Sequence, residues 1–167
     1  MFGLFKKKES FEALNLSDDK ISSLGNGKLI PIESVSDEMF AQKMLGDSIA
    51  FSFSGNGVNV FAPANGTLSV LFPTGHAFGI TMDNGIEILV HIGVNTVESK
   101  GAGFKILDKK QGDKVKAGDP IVKVDFDDMK EKYDMSTMLI ITNPADKTVT
   151  FTREGDVTRE SIVATIV

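Results

Sequence analysis

The chain has 167 residues, with 18 Lys and Arg against 23 Asp and Glu, so its formal net charge is −5. It contains no cysteine, which excludes a disulfide scaffold, a cysteine-based zinc finger, an iron–sulfur centre and a cysteine nucleophile. The acidic balance argues against extensive contact with phosphate backbones, so we expect no nucleic acid partner. Only two histidines are present, and any imidazole chemistry must use His76, His91 or both.

The N-terminal segment has apolar residues at positions 1–5 and three lysines at positions 6–8. A secretory signal has the reverse order and a longer apolar core, and no apolar run approaches the roughly 20 residues that a membrane-spanning helix needs. We therefore expect a cytoplasmic protein with a flexible tail over residues 1–20 and a single domain over residues 21–167. Residues 1–8 combine the apolar and basic side chains that favour weak contact with an anionic membrane.

From residue 21 onward, short apolar runs with the period-2 alternation of strands are separated by glycine-rich turns. Helical signals are confined to residues 36–43 and 127–133. This pattern predicts an all-β fold, an antiparallel β-sandwich or barrel with one or two short helical turns. A related four-residue segment occurs at 46–49 and 118–121, which indicates duplicated β-motifs.

Residues 76–92 predict a β-hairpin, because Asn84-Gly85 between two apolar runs is typical of a type I′ turn. A two-residue loop in either favoured register places His76 diagonal to or directly opposite His91, on one face of the sheet. A three-residue loop would place the two histidines on opposite faces. The hairpin therefore predicts a histidine pair.

Apolar surroundings favour the neutral form of an imidazole, which is the form that acts as a nucleophile or metal ligand. Two chemistries remain open from the residues alone. One is nucleophilic catalysis on an imidazole nitrogen, and the other is a metal site with a third ligand. Candidates for that ligand are Asp37, Asp47 and Glu87.

The motifs around the two histidines resemble the glucose-type IIA proteins of the bacterial phosphoenolpyruvate:sugar phosphotransferase system. The similarity extends over nearly the whole chain beyond the tail. The matching segments lie at residues 40–43, 46–47, 60–66, 74–78, 87–97, 100–104 and 112–119.

The resemblance implies an antiparallel β-sandwich that acts as a phosphocarrier. His91 would accept a phosphoryl group on Nε2 from the histidine-containing protein HPr and pass it to a cysteine of a IIB domain of a sugar permease. His76 would hydrogen-bond the phosphate, and the Thr74 hydroxyl would help to orient the pair. We expect a monomer without cofactor or metal, which also binds permeases and enzymes according to its phosphorylation state.

Five residues are predicted to contact the partner proteins. Phe40, Phe72 and Leu89 would form an apolar rim that excludes water from the phosphohistidine, and Gly93 would leave room for a partner's backbone. Asn95 stands where most members of the family carry an aspartate, a residue type that would meet an arginine of the donor. The negative net charge suits partners that bring positive charge.

Two other classes are less consistent with the sequence. Residues 112–121, followed by Met129-Lys130, have the strand–turn–strand pattern of a biotinyl or lipoyl carrier. The charged residues around Lys130 indicate a helical turn, however, rather than the tight hairpin that such a lysine needs. A zinc metallopeptidase on a related β-scaffold would need a His-x-His pair, which this chain lacks.

Overall fold

The structure is a computed structural model, and it describes residues 10–167. The predicted membrane contact of residues 1–8 lies outside this range. In chain order the strands are β1 (Lys20–Ser22), β2 (Gly27–Ile30), β3 (Asp47–Ser52), β4 (Val58–Phe61), β5 (Gly66–Leu71), β6 (Ala77–Met82), β7 (Glu87–Ile92), β8 (Phe104–Ile106), β9 (Lys114–Val115), β10 (Pro120–Val124), β11 (Thr137–Asn143), β12 (Val149–Phe151), β13 (Gly155–Val157) and β14 (Ile162–Ile166).

These strands form one large and two small antiparallel sheets. The large sheet has eight strands in the order β13-β2-β3-β11-β7-β6-β5-β9. The small sheets have the orders β1-β14-β12 and β4-β10-β8. The predicted all-β antiparallel fold is confirmed.

Two short α-helices lie in the segments that the sequence indicates. Helix α1 (Glu38–Ala41) begins at Asp37, whose carboxylate accepts a hydrogen bond from the amide of Met39, so an acidic side chain satisfies one free donor of the first turn. Helix α2 (Phe126–Met129) is also a single turn. None of the helices in residues 10–167 has the length and apolar character needed to cross a membrane.

The large sheet is apolar on both faces. Its inner face packs against the two small sheets in the main core, where Phe51, Phe78 and Phe126 are fully buried. On its outer face, Ala50, Met138 and Ile140 are covered by the segment that leads into α1, and this second cluster also includes Ile32, Val35, Phe40 and Val94. The outer cluster buries the strand positions that surround His91.

The β6–β7 hairpin has a three-residue loop, and both predicted two-residue registers are wrong. Thr81 pairs with Glu87, and the amide of Met82 donates to the carbonyl of Ile86, which leaves residues 83–85 as the loop. Gly85 closes the loop with φ at +93°, a left-handed conformation that glycine adopts without a steric penalty.

Part of the predicted tail packs against the domain. The Leu14 amide donates to the carbonyl of Ala117, and the ring of Phe11 meets the ring of Phe61 edge to face with centroids 5.0 Å apart. The guanidinium of Arg159 lies 5.1 Å from the centroids of both rings. Residues 11–14 are therefore packed against the domain. A sequence pattern does not reveal this packing, because the contacting residues lie far along the chain.

We predict that Arg159→Ala releases this N-terminal segment. The variant loses two cation–π contacts and the hydrogen bonds from the guanidinium to the carbonyls of Glu12 and Gly118. Protection of the Leu14 amide against hydrogen exchange should fall by about tenfold, the equivalent of roughly 1.4 kcal/mol. The matched control is Arg153→Ala, on the exposed loop between β12 and β13, which should leave that protection unchanged. Equal loss in both variants would contradict the assignment.

Candidate functional site

His91 lies near the end of the central strand β7, on the outer face of the large sheet. It pairs with Met138 of β11 on one side and with Ala77 of β6 on the other. Alternate residues of a strand share a face. His91 therefore lies on the same outer face as Leu89, whereas Phe78 of β6, which pairs with Val90, lies on the inner face. Three buried residues of β6 point to the opposite, inner face and belong to the main core, namely Phe78, Ile80 and Met82.

The two histidines meet although the hairpin register predicts opposite faces. Their ring centroids are 5.3 Å apart, and the ring planes are inclined by 78°. His76 precedes the first residue of β6 and follows Gly75, whose φ is +78°. The alternation of a regular strand does not apply to a residue in such a turn, so the His76 ring can lie on the side of His91. The predicted pair is present, for a different reason from the one that the sequence suggested.

One nitrogen of His91 is held by the backbone. Nδ1 lies 2.8 Å from the carbonyl oxygen of Gly93. Since a carbonyl oxygen can only accept a hydrogen bond, Nδ1 carries the proton in this contact. The neutral ring then has its lone pair on Nε2, the nitrogen that is expected to accept a phosphoryl group.

Thr74 contacts the other histidine. Its hydroxyl oxygen lies 2.5 Å from Nδ1 of His76. When the hydroxyl donates to Nδ1, the neutral His76 ring carries its proton on Nε2 and can donate it to an anion. The structure therefore brings Thr74, His76 and His91 into one constellation.

Burial lowers the pKa of both histidines below the ordinary value. For His76 the charge of His91 acts in the same direction. For His91 the hydrogen bond to Gly93 and the negative charge of Asp37 oppose the effect of burial without cancelling it. Both rings therefore favour the neutral form that nucleophilic chemistry needs.

Two aromatic rings flank the pair, one beside each histidine. The Phe40 centroid is 5.0 Å from that of His91, and the Phe72 centroid is 5.1 Å from that of His76. Phe72 is 39% exposed, whereas Phe40 is only 5% exposed. Leu89 is partly buried against the outer cluster. Of the predicted apolar rim, Phe72 is the member that offers the largest free surface.

Gly93 is buried, so the structure gives a different reason for a glycine at this position from the predicted approach of a partner. Its φ is +78°, and a Cβ would lie 2.5 Å from a methyl carbon of Thr96 and 2.9 Å from the sulfur of Met135. Asn95 is exposed and has φ at +60°, a conformation that asparagine and aspartate tolerate better than most residues. It remains accessible to a partner.

Met39 and Val97 are exposed apolar residues that the sequence alone does not single out. They are 41% and 53% exposed, and they lie in the two short segments that carry Phe40 and Asn95. In a one-turn helix, the neighbour of a buried residue points away from the core. In the sequence, a buried Phe40 within a short helix would therefore have indicated that Met39 is exposed.

The alternative reading, a metal site, needs a third ligand beside the two histidines. Within residues 10–167 no group of three or more His, Asp or Glu side chains is arranged to hold a metal ion. Glu87 and Asp47 lie on exposed strand ends, and Asp37 caps α1.

Comparisons with known proteins agree on one family. A family model for the phosphoenolpyruvate-dependent sugar phosphotransferase system, EIIA 1, matches residues 19–147. The glucose-specific EIIA component of Halalkalibacterium halodurans is 39% identical over 155 residues, which cover 93% of this chain and 87% of that protein.

Longer relatives contain the same segment. The glucose-specific EIICBA component of Staphylococcus saprophyticus is 36% identical over 165 residues, 96% of this chain. This chain spans 24% of the length of that protein and 20% of the corresponding component of Streptococcus pneumoniae.

The fold has a solved counterpart. The glucose permease IIA of Mycoplasma capricolum superposes with a TM-score of 0.80 at 38% identity, covering 87% of this chain and 93% of that one. With the family match over residues 19–147, these similarities show that the chain belongs to the EIIA 1 family of the phosphoenolpyruvate-dependent sugar phosphotransferase system.

Proposed function

We propose that this chain is a phosphocarrier that accepts a phosphoryl group on Nε2 of His91 from phospho-HPr and passes it to a IIB cysteine. The observation that carries the proposal is the hydrogen bond from His91 Nδ1 to the Gly93 carbonyl, which leaves Nε2 unprotonated. The IIB and IIC segments named in the longer relatives support a permease as the receiving partner. Such a role places the chain in the cytoplasm, at the membrane-bound permease.

The transfer requires little covalent chemistry from the protein. The phosphorus–nitrogen bond of phospho-HPr breaks as a new bond forms between phosphorus and Nε2 of His91, while the proton on Nδ1 stays in its bond to Gly93. Such a transfer is loose and in line, so the protein contributes mainly positioning and charge stabilisation. In the second transfer the bond between phosphorus and Nε2 breaks as the thiolate sulfur of the IIB cysteine bonds to phosphorus, and the electron pair returns to Nε2 of His91.

His76 stabilises the phosphoryl oxygens in this proposal. Its ring lies beside His91 and can present Nε2–H while Thr74 holds Nδ1. Because burial keeps its pKa below the ordinary value, His76 donates a hydrogen bond without becoming a fixed cation. A neutral donor avoids trapping the phosphoryl group in a stable ion pair, so the group can move on.

The partner proteins dock on the exposed residues beside the pair. Phe72 and Val97 offer exposed apolar surface, and the partly exposed Asp37 carries negative charge near His91. Phe40 and Leu89 support this surface from beneath, while Gly93 shapes the backbone. The net charge of −5 suits donors and acceptors with basic docking surfaces. The relatives are named glucose-specific components, which supports a permease of the glucose type as the receiving partner.

We predict that His91→Ala abolishes phosphorylation by phosphoenolpyruvate with the general phosphotransferase enzymes and HPr, as read by intact mass. His76→Gln should still gain one phosphoryl group but transfer it to a IIB domain at least tenfold more slowly, since a donor to the phosphate is displaced. Acid-labile phosphorylation of His91→Ala would contradict the assignment of the acceptor.

The rate of phosphoryl acceptance should depend on pH through His91. Because burial lowers its pKa below the ordinary 6.5, Nε2 stays unprotonated at pH 6.5, and the rate should fall only as the pH drops through that lowered pKa. Because the pKa of both histidines is lower in the folded protein, the unfolded state binds more protons than the folded state near pH 6.5. Stability from the histidines is therefore complete above about pH 6.5 and lost as the pH falls through the folded-state pKa values. Histidine NMR titrations with midpoints above 6.5 would contradict both expectations.

Phe72→Ala should weaken docking without disabling the chemistry. Loss of a partly exposed aromatic contact should raise the KM for phospho-HPr by about fivefold and change kcat by less than twofold. Val167→Ala, a change of an exposed apolar residue that follows β14 of a small sheet, is the matched control for the loss of exposed apolar area and should leave the KM unchanged. A fall in kcat at unchanged KM would assign Phe72 to the reaction rather than to docking.

A further inference from the structure

A carboxylate outside the histidine constellation joins two separate segments that support His91. Asp134 lies in the loop between α2 and β11. Its Oδ1 accepts hydrogen bonds from the amide of Ser136 at 3.0 Å and from its hydroxyl at 2.7 Å. Its Oδ2 accepts the amide of Ser36 at 3.0 Å, across 98 residues of sequence.

The backbone of the same loop holds the acceptor of the His91 proton. The carbonyl of Asp134 accepts the amide of Val94 at 2.8 Å, and the carbonyl of Ser136 accepts the amide of Gly93 at 3.0 Å. Both ends of the short loop thus bond to the peptide units around Gly93, whose own carbonyl faces Nδ1 of His91. The orientation of that carbonyl depends on the shape of the loop.

The bond to Ser36 reaches the other side of the histidine. Ser36 directly precedes Asp37, the residue that caps α1, and α1 presents Phe40 to the His91 ring. This helix has only four residues, too few to be stable without tertiary contacts. A fixed entry point therefore contributes to the position of Phe40.

We propose that Asp134 is a positioning residue for phosphoryl transfer, which holds the Gly93 carbonyl and the start of α1 so that His91 keeps its proton on Nδ1. The inference rests on the function proposed above. A neutral imidazole can exchange to the tautomer with its proton on Nε2, and that form has no lone pair at the accepting atom. Holding the Gly93 carbonyl in place suppresses this exchange.

The charge of Asp134 is suited to this role. Burial opposes ionisation, but the hydrogen bonds from Ser136 and Ser36 outweigh it and hold the pKa of the carboxyl below its ordinary value. Hydrogen bonds to an ionised acceptor are about twice as strong as those between neutral groups. An asparagine side chain has only one acceptor oxygen for the three donors of Ser36 and Ser136. Its NH₂ group would therefore face at least one of these donors, and no hydrogen bond could form there.

We predict that Asp134→Asn raises the Nε2–H tautomer of His91, seen as a change in its ring ¹⁵N shifts. We also expect kcat for phosphorylation by phospho-HPr to fall by about tenfold, with KM changed by less than twofold. The matched control is Asp127→Asn on α2, which removes a carboxylate that accepts the amide of Gly55 at 2.9 Å rather than an amide beside His91. The control should leave both readouts unchanged.

A second variant separates positioning from folding. Ser36→Pro deletes the amide that Asp134 accepts, and the extended conformation of Val35 suits the residue before a proline. Its effects on the ¹⁵N shifts and on kcat should be smaller than those of Asp134→Asn, and the two changes should not be additive in the double variant. Additive effects would overturn a shared network.

The outcomes distinguish the two proposals. Unchanged His91 ring shifts and kcat in Asp134→Asn, or a lower unfolding temperature alone, would overturn the positioning role. If the unmodified chain were not phosphorylated at His91, the proposed function would fall, while the ring ¹⁵N shifts would still test whether Asp134 controls the tautomer. If Asp134→Asn did not fold, the shifts of Ser36→Pro would decide in the same way.

Discussion

The hydrogen bond from Nδ1 of His91 to the Gly93 carbonyl is the contact on which the rest of the site depends. A neutral imidazole has one protonated and one free nitrogen, so a fixed acceptor on one side determines which nitrogen can react. The sharp backbone turn at Gly93 makes this geometry available because no side chain occupies the space against Thr96 and Met135. The loop at 134–136 bonds to the peptide units around that carbonyl, and His76 and the flanking rings lie around the ring that the bond orients.

The two faces of the large sheet have different roles: the inner face contributes to the main core, and the outer face carries the candidate site. Its inner face contributes to a main core that is closed by the two small sheets, and its outer face carries a small cluster beside His91. A histidine in the middle of a long antiparallel sheet gains a rigid backbone from its neighbours β6 and β11. Because only short segments cover the outer face, the ring remains partly accessible while its pKa is lowered by burial.

The strands and the two short helices could be predicted because alternation, capping residues and turn residues are local properties. The register of the β6–β7 hairpin could not. Asn84-Gly85 is compatible with a two-residue turn, but Gly85 instead closes a three-residue loop. The histidines nevertheless meet, since His76 lies outside the regular strand, where the parity of the pleat no longer determines the direction of its side chain.

By itself the sequence determined the chemical inventory: two histidines, no thiol, an all-β pattern and motifs shared with one family. Tertiary structure decided how that inventory is used. It placed His91 on the outer face, buried Phe40 while leaving Phe72 exposed, and brought Asp134 to Ser36 across 98 residues. The tautomer of His91, the burial of Phe40 and the bond between Asp134 and Ser36 depend on atoms from distant parts of the chain. These atoms come together only in the folded protein, so no local sequence pattern predicts them.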